Sequence, residues 1–195
     1  WRYALSLDGA EIIHDALEDN GVTPVFDSGV DHFTVDDDGH VTGAVDPNGD
    51  EYEGEFAGVA IGLDFNTEFV RDSEIELDDG SVVHEYRQTN VEDVYAAGDI
   101  TRFYDTILGE YAQNGAWGSA KEQGAVAGEN MVAGDEAESF RWVSSYSITH
   151  FDFPFLSFGH PTLGDDHAER KYSDTEWRRL AFKDGQLIGG VLIGD

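Results

Sequence analysis

The run Asp93-Val94-Tyr95-Ala96-Ala97-Gly98-Asp99 constrains the fold of this chain more than any other stretch. Its small apolar residues read as a buried strand, which must be covered on both faces. A glycine ends the run and a carboxylate follows at once. That places Asp99 at the C-terminal edge of a sheet, where open α/β sheets bind ligands. Ala96 and Ala97 leave room for a ligand or a close helix, Gly98 permits backbone approach, and Asp99 can accept hydrogen bonds from hydroxyl groups. The other reading of Asp99 is a cap on the turn that follows.

The flanking patterns give the remaining elements. Asp8 stands at an N-cap position before Ile12, Ile13 and Leu17, with Gly21 past the end, which predicts a short helix. Thr23 to Phe26 reads as a strand. Three antiparallel strands follow: Val30 to Val35, Val41 to Val45 and Tyr52 to Phe56, joined by the turns Asp36-Asp37-Asp38-Gly39 and Pro47-Asn48-Gly49. Gly58-Val59-Ala60-Ile61-Gly62 reads as a short buried strand, and Val82-Val83 as a small one. After Asp99 comes a loop rich in aromatics and glycine. A helix from about Trp117 to Val132 then carries Trp117, Ala120, Gly124, Ala127 and Met131 on one face, the face predicted to be buried. The segment from Phe140 reads as β-rich, with a hairpin of Trp177 to Phe182, the turn Lys183-Asp184-Gly185, and Leu187 to Ile193.

Charge narrows the function. The chain has 41 Asp plus Glu against 11 Lys plus Arg, a formal net charge of −30. That argues against binding nucleic acid or an anionic membrane, both of which call for a basic footprint. Acid spread along a whole chain fits a protein from multimolar salt, where screening shortens to about 3 Å near 1 M. No apolar run approaches the length of a membrane span and no signal pattern opens the chain, so a cytoplasmic location is expected. There is no cysteine, hence no disulfide, thiolate metal site or cysteine nucleophile in these residues.

Several motifs are absent: G-x-G-x-x-G, the Walker loop and G-x-S-x-G. His84-Glu85 opens like a zinc protease motif, but Gln88 stands where the second histidine belongs. The histidines at 14, 32, 40, 84, 150, 160 and 167 form no i, i+4 pair and read as surface or packing residues. Asp36 to Gly39 lacks the alternating oxygens and closing Glu of a calcium loop, so it reads as a hairpin turn.

Thr89-x-x-x-Asp93-Val94-Tyr95-Ala96-Ala97-Gly98-Asp99 resembles the second FAD-binding motif of the pyridine nucleotide–disulfide oxidoreductase superfamily. Ala60-Ile61-Gly62-Leu63-Asp64-Phe65-Asn66-Thr67-Glu68 is similar to that superfamily's crossing from the NAD(P)H domain back to the FAD domain, with Phe65 in place of the usual proline. Phe103-Tyr104-Asp105, Leu108-Gly109 and Gly128-Glu129-Asn130-Met131 are similar to the apoptosis-inducing-factor and ferredoxin/rubredoxin reductase-like branch.

The resemblance implies an α/β chain, part of a two-dinucleotide-domain flavoprotein with Rossmann-like three-layer domains, followed by an α+β domain of antiparallel strands. Residues 1–62 would be the end of the NAD(P)H-binding domain, 63–135 the end of the FAD-binding domain, and 136–195 an incomplete C-terminal domain. The chain starts without methionine and stops inside an apolar strand, as expected of a fragment inactive on its own. The implied cofactors are FAD and NAD(P)H, and the implied partner is an electron acceptor, either a small molecule or a small redox protein. Relatives often dimerise through the C-terminal domain, so a homo-oligomer is among the arrangements implied.

The resemblance also assigns residues. Asp99 would hold the ribityl hydroxyls of FAD, with Gly98 making room. Asn114, Gly115, Ala116 and Trp117 match the loop that approaches the flavin, and the helix beginning near Trp117 would aim its N-terminus at the flavin pyrimidine edge. Trp117 reads equally as core packing. Tyr146 falls near an aromatic placed over the flavin, or is a plain core or interface tyrosine. Gly62 lies where relatives approach the nicotinamide, or is a buried-strand glycine. The alternative function is a non-enzymatic interaction protein, or an FAD-binding module without turnover, with Phe151, Phe153 and Phe155 as the partner surface.

Overall fold

A computed structural model describes residues 4–149 and 153–194, and the chain divides into two units: Leu17–Gly62, and the remainder on either side of it in sequence. His150 and Phe151 lie outside the described residues.

The Leu17–Gly62 unit is a meander of β1 (His32–Val35), β2 (Val41–Val45) and β3 (Glu51–Glu53), antiparallel in the order β1-β2-β3. Its two turns use the same device. The Asp36 carboxylate accepts the N–H groups of Asp38 and His40 at 3.0 and 2.9 Å, and Asp46 accepts those of Asn48 and Asp50 at 2.8 and 2.9 Å. Each acid folds the chain onto its own carboxylate, and Gly39 and Gly49 take the positive φ that closes the turn. Two expected strands are missing. Thr23–Phe26 and Gly58–Gly62 are not strands, and Val59 and Ile61 are exposed. An apolar run becomes a strand only with a ladder partner, and no described strand pairs with either run.

The second unit holds α1 (Leu7–Asp19) as far as Ala16; the helix starts one residue ahead of the expected cap and so places Asp8 in its first turn. Ile12 and Ile13 are buried, and Gly9 lies flat on the Trp177 indole. Next comes a mixed sheet of β4 (Ser81–Val83), β5 (Thr101–Asp105) and β6 (Glu110–Ala112), with β4 and β5 parallel and β5 and β6 antiparallel. The expected loop after Asp99 is therefore partly a hairpin. The expected strand at Asp93–Ala97 is reduced to a single bridge between Gln88 and Tyr95. Asp93 sits at φ +60°, which breaks the extended run at its first residue.

α2 (Trp117–Ala133) keeps its expected length but turns a different face inward. Ser119, Gln123, Ala127 and Asn130 are buried, whereas Trp117 and Met131 are exposed. A five-stranded antiparallel sheet completes the unit: β7 (Ser145–Ile148), β8 (Phe155–Gly159), β9 (Asp166–Lys171), β10 (Trp177–Lys183) and β11 (Gln186–Ile193), in the order β7-β8-β11-β10-β9. Trp177, Ala181, Val191, Ile193 and Phe155 fill its inner face. Burial of Phe155 removes it from the expected aromatic partner surface, and Phe153 is half-buried.

The architecture is thus α/β with mixed and antiparallel sheets, and no three-layer Rossmann sheet is formed among the described residues. No described helix is long and apolar enough to cross a membrane.

Candidate functional site

The segment Tyr95-Ala96-Ala97 enters the site as extended chain, held by the Ala96 N–H on the Arg87 carbonyl at 3.1 Å. Gly98 then takes φ +89°. A Cβ there would meet only the Ala120 methyl at 3.8 Å, so the backbone torsion, and not crowding, demands glycine. The Gly98 carbonyl accepts the Thr101 N–H at 3.0 Å, closing a turn with Asp99 at its corner.

Asp99 is half-buried, and its Oδ1 is shut off from solvent with no hydrogen-bond partner among the described residues. A buried acceptor left unpaired costs about 1–3 kcal/mol. A ligand hydroxyl donating to this oxygen would remove that cost. The site therefore fits the polyhydroxyl chain of the flavin that the resemblance implies.

α2 supports the turn from behind with a polar face that the apolar stripe did not predict. Gln123 Oε1 accepts the Gly98 N–H at 3.0 Å and lies 2.7 Å from Thr101 Oγ1, while its Nε2 donates to Ser119 Oγ at 3.1 Å. Further along, Asn130 donates to the carbonyls of Tyr86 and Glu138, both at 2.9 Å, and accepts the Glu138 N–H at 2.9 Å. The signal was present in the sequence as a second stripe, Ser119, Gln123, Ala127 and Asn130, also at helical spacing.

The start of α2 lies beside the same turn. Ala116 is extended and has no side chain to cap the helix, so the first-turn N–H groups keep their positive end for an outside partner. Gly115 is overlaid by the Leu63 side chain, in the space a Cβ would need. Asn114 is half-buried. Trp117 is 82% exposed, which excludes core packing, and Lys121 Nζ lies 5.7 Å from its ring.

A polar cavity of about 750 Å³ lies between Leu63–Glu68 and the Asp79-Gly80 turn. Gln113 forms part of its wall, with its amide donating to the Asp79 carbonyl at 2.8 Å. The crossing segment and the residues leading into α2 thus meet around one cavity. Two candidates stand elsewhere. Tyr146 projects from β7, 57% exposed, with its ring 5.7 Å from Phe155. Gly62 closes the other unit at φ +115° with nothing within 4 Å, so it is not a buried-strand glycine.

Comparison with known proteins gives the family. The family model for pyridine nucleotide-disulphide oxidoreductases matches residues 4–124. The chain is 30% identical over 162 residues to pyridine nucleotide-disulfide oxidoreductase domain-containing protein 1 of Drosophila melanogaster, covering 72% of this chain and 32% of that protein. It is 32% identical over 139 residues to an NADH-rubredoxin oxidoreductase of Clostridium acetobutylicum, covering 70% and 34%. Its fold is similar to that of an FAD-dependent pyridine nucleotide-disulphide oxidoreductase from Desulfovibrio vulgaris, with a TM-score of 0.80 at 21% identity over 97% of this chain and 49% of that one. The chain spans about a third of the length of the two relatives compared by sequence. A family match over more than half the chain, residues 4–124, makes it a member of the pyridine nucleotide-disulphide oxidoreductase family.

Proposed function

We propose that this chain is the C-terminal portion of an FAD- and NAD(P)H-dependent oxidoreductase that passes reducing equivalents to an acceptor, either a small molecule or a small redox protein. The observation that carries the reading is the buried, unpartnered Oδ1 of Asp99 at the Gly98 turn. FAD bound here would supply the hydride-accepting and electron-passing chemistry. The residues of this chain would hold it. Asp99 would accept hydrogen bonds from the ribityl hydroxyls, and Gly98 would let the backbone approach. Asn114, Gly115, Ala116 and Trp117 would bring the start of α2 toward the flavin, where the helix dipole favours negative charge. Gly62 would lie on the nicotinamide side, and Tyr146 would be the aromatic placed over the flavin.

In this reading residues 1–62 complete an NAD(P)H-binding domain, 63–135 an FAD-binding domain, and 136–195 belong to the C-terminal domain. The rubredoxin partner named for the Clostridium relative supports a small redox protein as acceptor. The acidity, 41 acids to 11 bases, supports a protein that works at high salt.

The test is a visible spectrum of the intact protein in high salt, before and after NADH is added without oxygen. Flavin bands that bleach on NADH addition are expected. A protein that stays colourless after FAD is supplied would remove the oxidoreductase reading.

A further inference from the structure

We propose that Gln123 is a positioning residue for Asp99, acting through the Gly98 amide; the inference rests on the flavin role of Asp99 proposed above. Gln123 has no solvent exposure, although its side chain is polar. It sits one helical turn beyond Ser119, also fully buried, and faces Thr101, which is 1% exposed. The amide has a single fitting orientation. The Gly98 N–H can only donate, so the atom 3.0 Å from it must be the Gln123 oxygen. Nε2 then points at Ser119 Oγ, 3.1 Å away, and is held there.

Thr101 ties the arrangement from the other side. Its Oγ1 lies 2.7 Å from Gln123 Oε1 and 2.8 Å from the Gly98 carbonyl oxygen, so its one proton is shared between two acceptors. Gly98 is thus held at its N–H by Gln123 and at its C=O by Thr101, one contact on each of its two flanking peptide groups. Asp99 is the next residue. Its Oδ1 has no hydrogen bond that fixes it among the described residues, so the path of the backbone through Gly98 bears directly on where the carboxylate points. Gly98 at φ +89° is the most freely rotating residue type at this corner, and Gln123 removes that freedom.

A residue that acts by aiming Asp99 has no effect on FAD once Asp99 cannot accept hydrogen bonds. A residue that only supports the fold weakens FAD binding by the same factor whether or not Asp99 is present. A double-mutant cycle separates the two. The intact protein is stripped of flavin and titrated with FAD as the wild type, Asp99→Ala, Gln123→Met and the double variant. Thermal midpoints of the flavin-free forms are recorded in the same salt.

Asp99→Ala and Gln123→Met are each expected to weaken FAD binding about tenfold or more. In the Asp99→Ala background, Gln123→Met is expected to change the affinity less than twofold. Equal loss in both backgrounds would overturn the positioning role and leave the reading of Asp99 intact. Unchanged FAD affinity in Asp99→Ala would overturn that reading and this inference together. If Gln123→Met does not fold, Ser119→Ala replaces it in the cycle, since it frees only the Nε2 end. A smaller loss of about threefold is then expected, again absent without Asp99, and its persistence there would overturn the proposal.

Discussion

His160 Nε2 lies 2.9 Å from Asp105 Oδ2, joining the end of β8 to the end of β5 across 55 residues of sequence. The Asp105 carboxylate also accepts the N–H groups of Ile107 and Leu108 at 2.8 and 3.1 Å, and it is 6% exposed. Burial by itself pushes this carboxyl up. The hydrogen bonds from His160 and the two backbone amides, with the charge of His160, outweigh burial and hold the group below its ordinary value of 3.8.

A carboxyl depressed in the folded state gives stability that is fully present above its unfolded value and is lost as pH falls through the folded value. Asp105→Ala is therefore expected to cost about 2–4 kcal/mol at pH 7, because it also leaves the buried Leu108 amide and the half-buried Ile107 amide without their acceptor. The difference from wild type should shrink below pH 3.8. Urea unfolding at pH 7 and at pH 3 in matched salt checks both points, and a difference independent of pH would contradict the ionic part.

Arg87 presents the opposite case. It is fully buried, no nitrogen of its guanidinium has a hydrogen-bond partner among the described residues, and its Cζ lies 4.6 and 4.8 Å from the ring centroids of Phe103 and Phe140. Burial lowers its pKa to about 10. The two ring faces return part of the desolvation cost, about 1–2 kcal/mol each when buried. Arg87→Met keeps the volume and removes the charge, so it is expected to raise the unfolding free energy by about 1 kcal/mol at pH 7. Because the folded value is lowered, the penalty is full below about pH 10 and is relieved as pH rises above it. Denaturant unfolding at pH 7 decides it, and a loss above about 1 kcal/mol would show that the rings carry more than the desolvation penalty.

Gly98→Ala isolates the torsion at the candidate site. The new methyl finds only ordinary contact at 3.8 Å, so strain at φ +89° is the whole effect, about 1–2 kcal/mol. Thermal unfolding of the flavin-free protein measures it, and a slower-exchanging flavin would count against the assignment of this turn.

Gly9 predicts a clash of the opposite kind. A Cβ at this position would lie 3.0–3.1 Å from the Trp177 indole, which is fully buried and cannot swing aside. Gly9→Val is expected to cost about 2–3 kcal/mol through overpacking, read as a lower urea midpoint with α1 helicity measured separately.

The sequence by itself determined what rests on short-range chemistry. Asp36 and Asp46 fold their own turns with their own carboxylates, and Gly39, Gly49 and Gly185 supply the torsions, so the hairpins were legible. The length of α2 and the β10–β11 hairpin were legible for the same reason. The turn at Gly98 and Asp99 was legible because glycine and carboxylate form a local motif, although the strand expected to lead into it is only a single bridge.

Only the tertiary structure decided which runs are strands and which face of α2 is inside. Gly58–Gly62 and Asp93–Ala97 have the composition of buried strands, but a strand is made by its neighbours, and these runs have at most a single bridge. On α2 the apolar stripe through Trp117 and Met131 lost to the stripe through Ser119, Gln123 and Asn130, a turn of about one residue, or 100°. A polar face can be buried when each group finds a partner, and Gln123 and Asn130 found theirs in backbone up to 44 residues away. Those partners are set by the path of the chain, which no local pattern records.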